Sequence, residues 1–218
     1  MKTNTTRSTV LAAALIAALV PSLQGCFPAV AVGAGAGALM IADRRATETY
    51  LADEAIEIRA VSRINEKFGE KTHINVTSYN TKVLLTGEAP DAGIKAEIEK
   101  LVAGVPNVKA TTNEIQVAGL SSFSARSNDS YITSKVKARF IEANKFGPYH
   151  VKVVTEAGTV HLLGLVTHKE ADDAAEIART TGGVQKVVRV FEYVGESEAQ
   201  RLDNRPPEDA KTRQPENK

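Results

Sequence analysis

Apolar residues recur along this chain with two different periods. An apolar residue at every fourth position predicts an amphipathic helix. The first such stripe consists of Ala52, Ile56, Ala60, Ile64 and Phe68. Two alternating apolar runs follow, with Asn80 and Thr81 between them as a hairpin turn. A second helical stripe begins after Asp91 and stops at Gly104, and residues 108–117 read as a strand. The predicted order is helix, strand, strand, helix, strand.

The same pattern occurs a second time. Residues 83–87 (VLLTG) correspond to residues 160–164 (VHLLG), and residues 74–77 (INVT) correspond to 151–154 (VKVV). The second copy has its own stripes and turn, formed by Ile132, Val136 and Phe140, then Ala157 and Gly158, then Ala171, Ala174, Ala175 and Ala178. Two copies of one unit explain this self-similarity.

The order of elements predicts an α+β fold for each unit. A hairpin gives an antiparallel pair, and the helical crossover before the last strand permits parallel pairing. We therefore expect a three-stranded mixed sheet covered on one face by two helices. The first domain is assigned to residues 48–118 and the second to 128–194. A serine-rich stretch, residues 119–127, is interpreted as the linker.

The N-terminus has the layout of an export signal. Lys2 and Arg7 precede an apolar run at residues 10–20, which predicts a signal peptide at residues 1–25. Residues 23–26 (LQGC) resemble a bacterial lipobox, in which cleavage leaves Cys26 at the new N-terminus carrying acyl chains such as palmitate. An ordinary signal peptide with a chance cysteine is the alternative. Phe27, where an Asp would retain the protein at the inner membrane, favours the outer membrane, facing the periplasm.

Two flanking segments complete the organisation. Residues 26–47 are interpreted as the lipidated N-terminus and a Gly/Ala-rich linker, with a second membrane helix as the weaker alternative because of its glycines. Residues 195–218 contain three prolines among mixed charges and few large apolar side chains. Such a tail cannot bury a core, so the sequence predicts disorder there.

Charge and residue types limit the functions to be considered. Without the signal peptide the formal charge of +1 becomes −1, so no overall field favours nucleic acid. No catalytic constellation is evident, and the four histidines show no close metal-ligand spacing, so neither an enzyme, a cofactor nor a metal is predicted. Gly87 and Gly164, which recur at strand ends, are interpreted as structural.

The first helix of the second unit carries the candidate site. At 100° per residue, its outward side holds Tyr131, Ser134, Lys135, Ala138 and Ile141, with Lys137 and Arg139 at the border. An exposed aromatic and an exposed Ile beside basic groups suit the boundary between acyl chains and anionic headgroups. The alternative is that Tyr131 and Ile141 pack against the first domain or the linker.

The repeated motifs resemble the BON domain. They include the two glycine-ended hairpins, the Gly-Val-x-x-Val segments at 104–108 and 183–187, and residues 131–137 (YITSKVK), which is similar to the second domain of dual-BON outer-membrane lipoproteins. The resemblance implies binding of an anionic phospholipid such as phosphatidylglycerol at the inner leaflet, a part in envelope integrity, and division-site localisation. The alternative is a periplasmic scaffold that binds outer-membrane assembly proteins. The first helix of the first unit is acidic, which suits a spacer or protein-binding role.

Overall fold

The computed structural model describes residues 43–205. The predicted signal peptide, Cys26 and most of the Gly/Ala-rich linker lie outside the described residues, as does the end of the tail. Within the described part, the two predicted units are both present, and each has the predicted order of helices and strands.

The first domain is built from helix α1 (Thr47–Phe68), a short 3-10 turn (Gly69–Lys71), strands β1 (His73–Tyr79) and β2 (Lys82–Ala89), helix α2 (Ala92–Ala103), and strands β3 (Ala110–Asn113) and β4 (Gln116–Val117). β2 pairs antiparallel with β1 and parallel with β3 and β4. The single last strand predicted at 108–117 is therefore divided, and this sheet has four strands. The division falls where the Asn113 side chain accepts a hydrogen bond from Ile115 N, and Ile115 turns into the core.

The second domain consists of α3 (Phe123–Ala143), β5 (Lys152–Glu156), β6 (Thr159–Val166), α4 (His168–Arg179) and β7 (Lys186–Tyr193). Its sheet has the predicted three strands, with β6 in the centre, antiparallel to β5 and parallel to β7. A further helix, α5 (Glu196–Asp203), follows. No helix within residues 43–205 has the length and apolar content needed to span a bilayer.

Two boundary predictions are wrong. α3 begins inside the predicted linker, because the Ser122 hydroxyl accepts a hydrogen bond from Ala125 N and caps the helix there. α5 lies in the segment predicted to be disordered. It is held because Ala199 and Leu202 are buried, and Leu202 joins an apolar cluster between the domains. The Asp203 carboxylate at the end of α5 also accepts hydrogen bonds of 2.7 and 2.9 Å from Arg44.

Each domain has its own core beneath its two helices. The stripe predicted for α1 is buried through Ile56, Ala60 and Ile64, and α3 buries its corresponding stripe. In the second domain, α4 contributes small buried residues such as Ala171 and Ala174, which let the helix lie close to the sheet. These stripes confirm the helical periodicity read from the sequence.

A buried aspartate holds the hairpin turn in each domain. The turn residues Ala157 and Gly158 both have positive φ, as do the equivalent residues of the first domain. The Asp129 carboxylate accepts hydrogen bonds of 2.9 Å from both backbone N–H groups. Asp53 does the same for Asn80 N and Thr81 N, at 2.8 Å each. Two charge-assisted bonds offset the cost of left-handed backbone at residues that carry side chains.

The sheet faces that the helices leave open pack against each other. Tyr79 and Leu84 of the first domain join one apolar cluster with Leu163 and Leu165 of the second, and Leu202 of α5 closes it. Polar contacts also cross this interface, including the ion pairs Lys82–Glu192 (2.7 Å) and Lys152–Glu57 (3.1 Å). The second face of each sheet is thus covered by the other domain.

Gly87 and Gly164 stand where a neighbouring backbone comes too close for a side chain. A Cβ at Gly87, whose φ is +107°, would lie 1.9 Å from the His73 carbonyl oxygen. A Cβ at Gly164 would lie 2.4 Å from the His150 carbonyl oxygen. Both glycines are therefore structural because the backbone of the preceding segment approaches them closely.

Candidate functional site

The outward face of α3 carries the apolar residues that the sequence assigned to it. Ile132, Val136 and Phe140 are buried on the inner side of the helix. On the outer side, Tyr131 and Ile141 are each 62% exposed. Ser134, Lys137 and Ala138 are exposed on the same helix. The alternative, in which Tyr131 and Ile141 pack against the first domain or the linker, does not fit this exposure.

Lys135 lies beside the exposed aromatic ring. Its ammonium nitrogen is 4.6 Å from the centroid of the Tyr131 ring, within the range of a cation–π contact. The same ammonium group donates a hydrogen bond to the carbonyl oxygen of Gly182, in the loop after α4. Lys135 is half-buried, so its charge sits at the rim of the apolar face.

Arg139, predicted at the border of the outward face, hydrogen-bonds to groups at the end of α4. Its Nη1 donates to the Ile177 carbonyl oxygen at 2.8 Å and to the hydroxyls of Thr181 and Thr180 at 2.8 and 3.1 Å. These bonds tie α3 to the last turn of α4 and satisfy a carbonyl group at that helix end. Lys137 is exposed on this helix, as is Arg126 nearer its start.

One exposed aromatic residue of this surface is not apparent from the apolar pattern of the sequence. Phe123, at the start of α3, is 80% exposed, and it lies five helical turns from Ile141 on the same side, about 27 Å along the axis. It was placed in a linker because the serines around it have no helical apolar pattern. The N-cap residue Ser122 was the local signal that could have extended the helix.

The corresponding face of α1 is less acidic than its sequence suggests. Asp53 is buried beneath the hairpin turn, where it also accepts a hydrogen bond from Arg45. Glu57 faces the second domain and pairs with Lys152. Two apolar side chains of α1, Leu51 and Ile58, are 58% and 61% exposed. The first domain therefore presents an apolar patch of its own.

One group of side chains within residues 43–205 has the composition of a metal site. His73, Glu88 and Glu156 each place a ligand atom within 4.8 Å of the others. They come from β1, β2 and β5, so two are in the first domain and one is in the second. The histidine spacing along the chain gave no sign of this, because the three residues are brought together by the contact between the domains.

Two αββαβ domains joined sheet to sheet, with an amphipathic helix on the outside, define a tandem-domain protein of mixed α/β architecture. The BON domain family model matches residues 53–119 and 128–195, which are the two structural repeats. The chain therefore belongs to the BON-domain family and carries two copies of the domain.

Three relatives place the chain more narrowly. It is 37% identical to the outer membrane lipoprotein DolP of Haemophilus influenzae, over 79% of this chain and 90% of that protein. It is 36% identical to a 21 kDa hemolysin of Actinobacillus pleuropneumoniae, over 70% of this chain and 79% of that one. The osmotically-inducible protein Y of Escherichia coli is 28% identical, over 63% of this chain and 71% of its own length.

Proposed function

We propose that this protein is a non-enzymatic outer-membrane lipoprotein that faces the periplasm and binds anionic phospholipid, such as phosphatidylglycerol, through the outward face of α3. Acyl chains on Cys26 form its second attachment to the inner leaflet. The similarity to the Haemophilus protein named an outer membrane lipoprotein, over 90% of that protein's length, supports the location. In this role the protein supports envelope integrity and gathers at division sites where anionic lipid is enriched.

The observation that carries the proposal is the exposure of Tyr131 and Ile141, each 62%, on a helix that also presents Lys135 and Lys137. Apolar side chains at this exposure gain free energy by entering the acyl boundary of a bilayer. Lysines at the rim are attracted to anionic headgroups by about 1 kcal/mol each near the surface. Phe123 extends the apolar face toward the N-terminus of the helix.

The two attachments act together. Several acyl chains on Cys26 hold the protein at the membrane, whereas one helix face is a weak anchor by itself. Joining them in one chain makes the second contact intramolecular, which raises the overall affinity without any new interaction. Because only the helix face is selective for charge, it sets where along the membrane the anchored protein accumulates.

The test is co-flotation of a soluble form that begins at residue 43 with neutral vesicles and with vesicles containing phosphatidylglycerol. We expect the wild type to float only with anionic vesicles and Tyr131→Glu to remain at the bottom. Ile58→Glu, at a residue of equal exposure on α1, is the matched control and should float like the wild type. Failure of the wild type to float, or equal loss in both variants, would contradict the proposal.

A second candidate function is a periplasmic scaffold for outer-membrane assembly proteins. The exposed Leu51 and Ile58 on α1 favour it, since such a patch suits a protein partner. Cross-linking in intact envelopes separates the two functions. A scaffold loses its cross-linked partners with Ile58→Glu and keeps them with Tyr131→Glu, whereas a lipid-binding protein without partners gives the same cross-linking pattern with both.

A further inference from the structure

Three ligand-bearing side chains meet where the open faces of the two sheets come together. His73 and Glu88 are cross-strand neighbours on β1 and β2, and the His73 Nδ1 atom is 3.2 Å from a carboxylate oxygen of Glu88. Glu156 ends β5 of the second domain, and its ligand atom is within 4.8 Å of the other two. One imidazole and two carboxylates thus face a common point.

The two carboxylates are buried without a permanent positive charge beside them. Glu88 is 5% exposed and Glu156 is 4% exposed. Within residues 43–205, the one ion pair that either carboxylate makes is the contact of Glu88 with His73. Their other partners are neutral donors, Asn75 at 2.7 Å from Glu156 and Ser121 at 3.2 Å from Glu88. Buried carboxylates are costly unless a cation neutralises them.

The pKa of Glu156 reflects this arrangement. Burial raises it, the hydrogen bond from Asn75 lowers it, and the nearby Glu88 carboxylate raises it again, with a net upward shift. A divalent cation between the two buried carboxylates would neutralise both charges at once.

The buried imidazole of His161 lies near Glu156. Glu156 lines a cavity of about 370 Å³ between the domains, and His161 lines it as well. His161 is 2% exposed, neither of its ring nitrogens makes a hydrogen bond, and its Nε2 lies 3.9 Å from a carboxylate oxygen of Glu114. Lys95 and Lys186 line this cavity too, whereas His73 and Glu88 do not, so the cavity adjoins the three-residue cluster at Glu156 alone.

The distances suit a small transition-metal ion. Zn²⁺ binds imidazole nitrogen and carboxylate oxygen at about 2.0–2.2 Å, which puts the ligands of a tetrahedral site about 3.4 Å apart. The 3.2 Å between His73 and Glu88 already matches this spacing. Because the Glu156 oxygen lies within 4.8 Å of the other two ligand atoms, a shift of at most about 1.4 Å completes the site. An imidazole ligand favours Zn²⁺ over Mg²⁺ or Ca²⁺, which take oxygen ligands.

We propose that His73, Glu88 and Glu156 form a Zn²⁺ site that links the two BON domains, with water as the fourth ligand. Asn75 and Ser121 donate hydrogen bonds to the carboxylates and orient them. Because the ligands belong to both domains, metal binding strengthens the interface. The inference is independent of the lipid-binding function of α3, which lies on another face of the second domain.

The test uses the whole chain in detergent, stripped of metal with a chelator and titrated with ZnCl₂ by calorimetry. We expect about one Zn²⁺ per chain and, at a free Zn²⁺ concentration of roughly a hundred times Kd, a rise in Tm of about 5–10 °C. Glu156→Gln, Glu88→Gln and His73→Gln should each weaken binding by at least about tenfold. The matched controls are His168→Gln and Glu176→Gln, a glutamate whose ion pair is with the exposed Arg179, and both should bind like the wild type.

Several outcomes would overturn the site. They are no stoichiometric Zn²⁺ binding by the wild type, unchanged affinity in the Glu156→Gln and Glu88→Gln variants, or loss of binding in the controls. If the glutamine variants do not fold, Co²⁺ decides the question in the wild type. A tetrahedral Co²⁺ absorption spectrum, lost on adding Zn²⁺, supports the site, and its absence contradicts it.

Discussion

The sharpest test of membrane contact is Phe123→Ser. Phe123 was not part of the surface derived from sequence, and it is the most exposed large apolar residue among residues 43–205, at 80%. If the outward face of α3 lies on the bilayer, this ring enters the acyl boundary together with Tyr131 and Ile141. A serine in its place leaves the helix and its capping residue Ser122 in position but removes the apolar ring.

The expected magnitude follows from the area that the ring can remove from water. Complete burial of a phenylalanine side chain contributes about 1.5–3 kcal/mol, and insertion at an interface covers only part of the ring, so about 1–2 kcal/mol is expected. Each 1.4 kcal/mol is a factor of ten in affinity. Phe123→Ser should therefore weaken partitioning onto anionic vesicles by about 5- to 30-fold.

Partitioning is measured by sedimentation of the soluble form over a series of lipid concentrations. Leu51→Ser, at a residue 58% exposed on α1, is the matched control and should leave the partition coefficient unchanged. An unchanged coefficient in Phe123→Ser would show that the contact does not reach the start of α3. Equal losses in both variants would refute the reasoning, because they would mean that any exposed apolar residue binds lipid.

Two further predictions concern stability. Asp129→Ala removes both hydrogen bonds that hold the left-handed turn at Ala157 and Gly158, so the free energy of unfolding in urea should fall by about 2–4 kcal/mol. Asp172→Ala, which breaks only the exposed pair with Arg189, should cost less than about 1 kcal/mol, and similar costs for both would contradict this account. The second prediction concerns pH. Burial raises the pKa of Glu170, but the contacts with His150 and Arg44 lower it by more. The net pKa therefore lies well below the usual 4.5. Because the folded-state pKa is depressed, the stabilisation is complete above about pH 4.5 and is lost as the pH falls below it. Glu170→Gln should be less stable at neutral pH and lose less stability on acidification, and parallel pH curves would exclude this role.

The helix and strand pattern could be read from the sequence because it depends on local periodicity. The stripe through Ile132, Val136 and Phe140 determines which side of α3 is buried, and the opposite side follows without knowledge of the rest of the fold. The same reasoning correctly located the hairpin turn at Ala157 and Gly158. It failed at Phe123, where a capping serine starts the helix, and in α5, where Leu202 and Asp203 contact residues distant in the chain.

The acidic residues show the limit of reading one helix at a time. Asp53 and Glu57 look like part of a solvated face in the sequence of α1. In the structure Asp53 holds the hairpin turn, and Glu57 pairs with Lys152 of the second domain. A helical period tells which residues share a side, but not which polar side chains are needed by a neighbouring turn or a neighbouring domain.

The sequence by itself determined the duplicated αββαβ order and the outward position of Tyr131 and Ile141, since both follow from periodicity within single elements. Only the tertiary structure decided that the two sheets pack face to face, which brings Glu156 beside His73 and Glu88. A strand has two faces, and a continuous apolar run such as residues 83–85 (VLL) marks both as buried without telling what covers each one. Contacts between residues far apart in the chain depend on that choice.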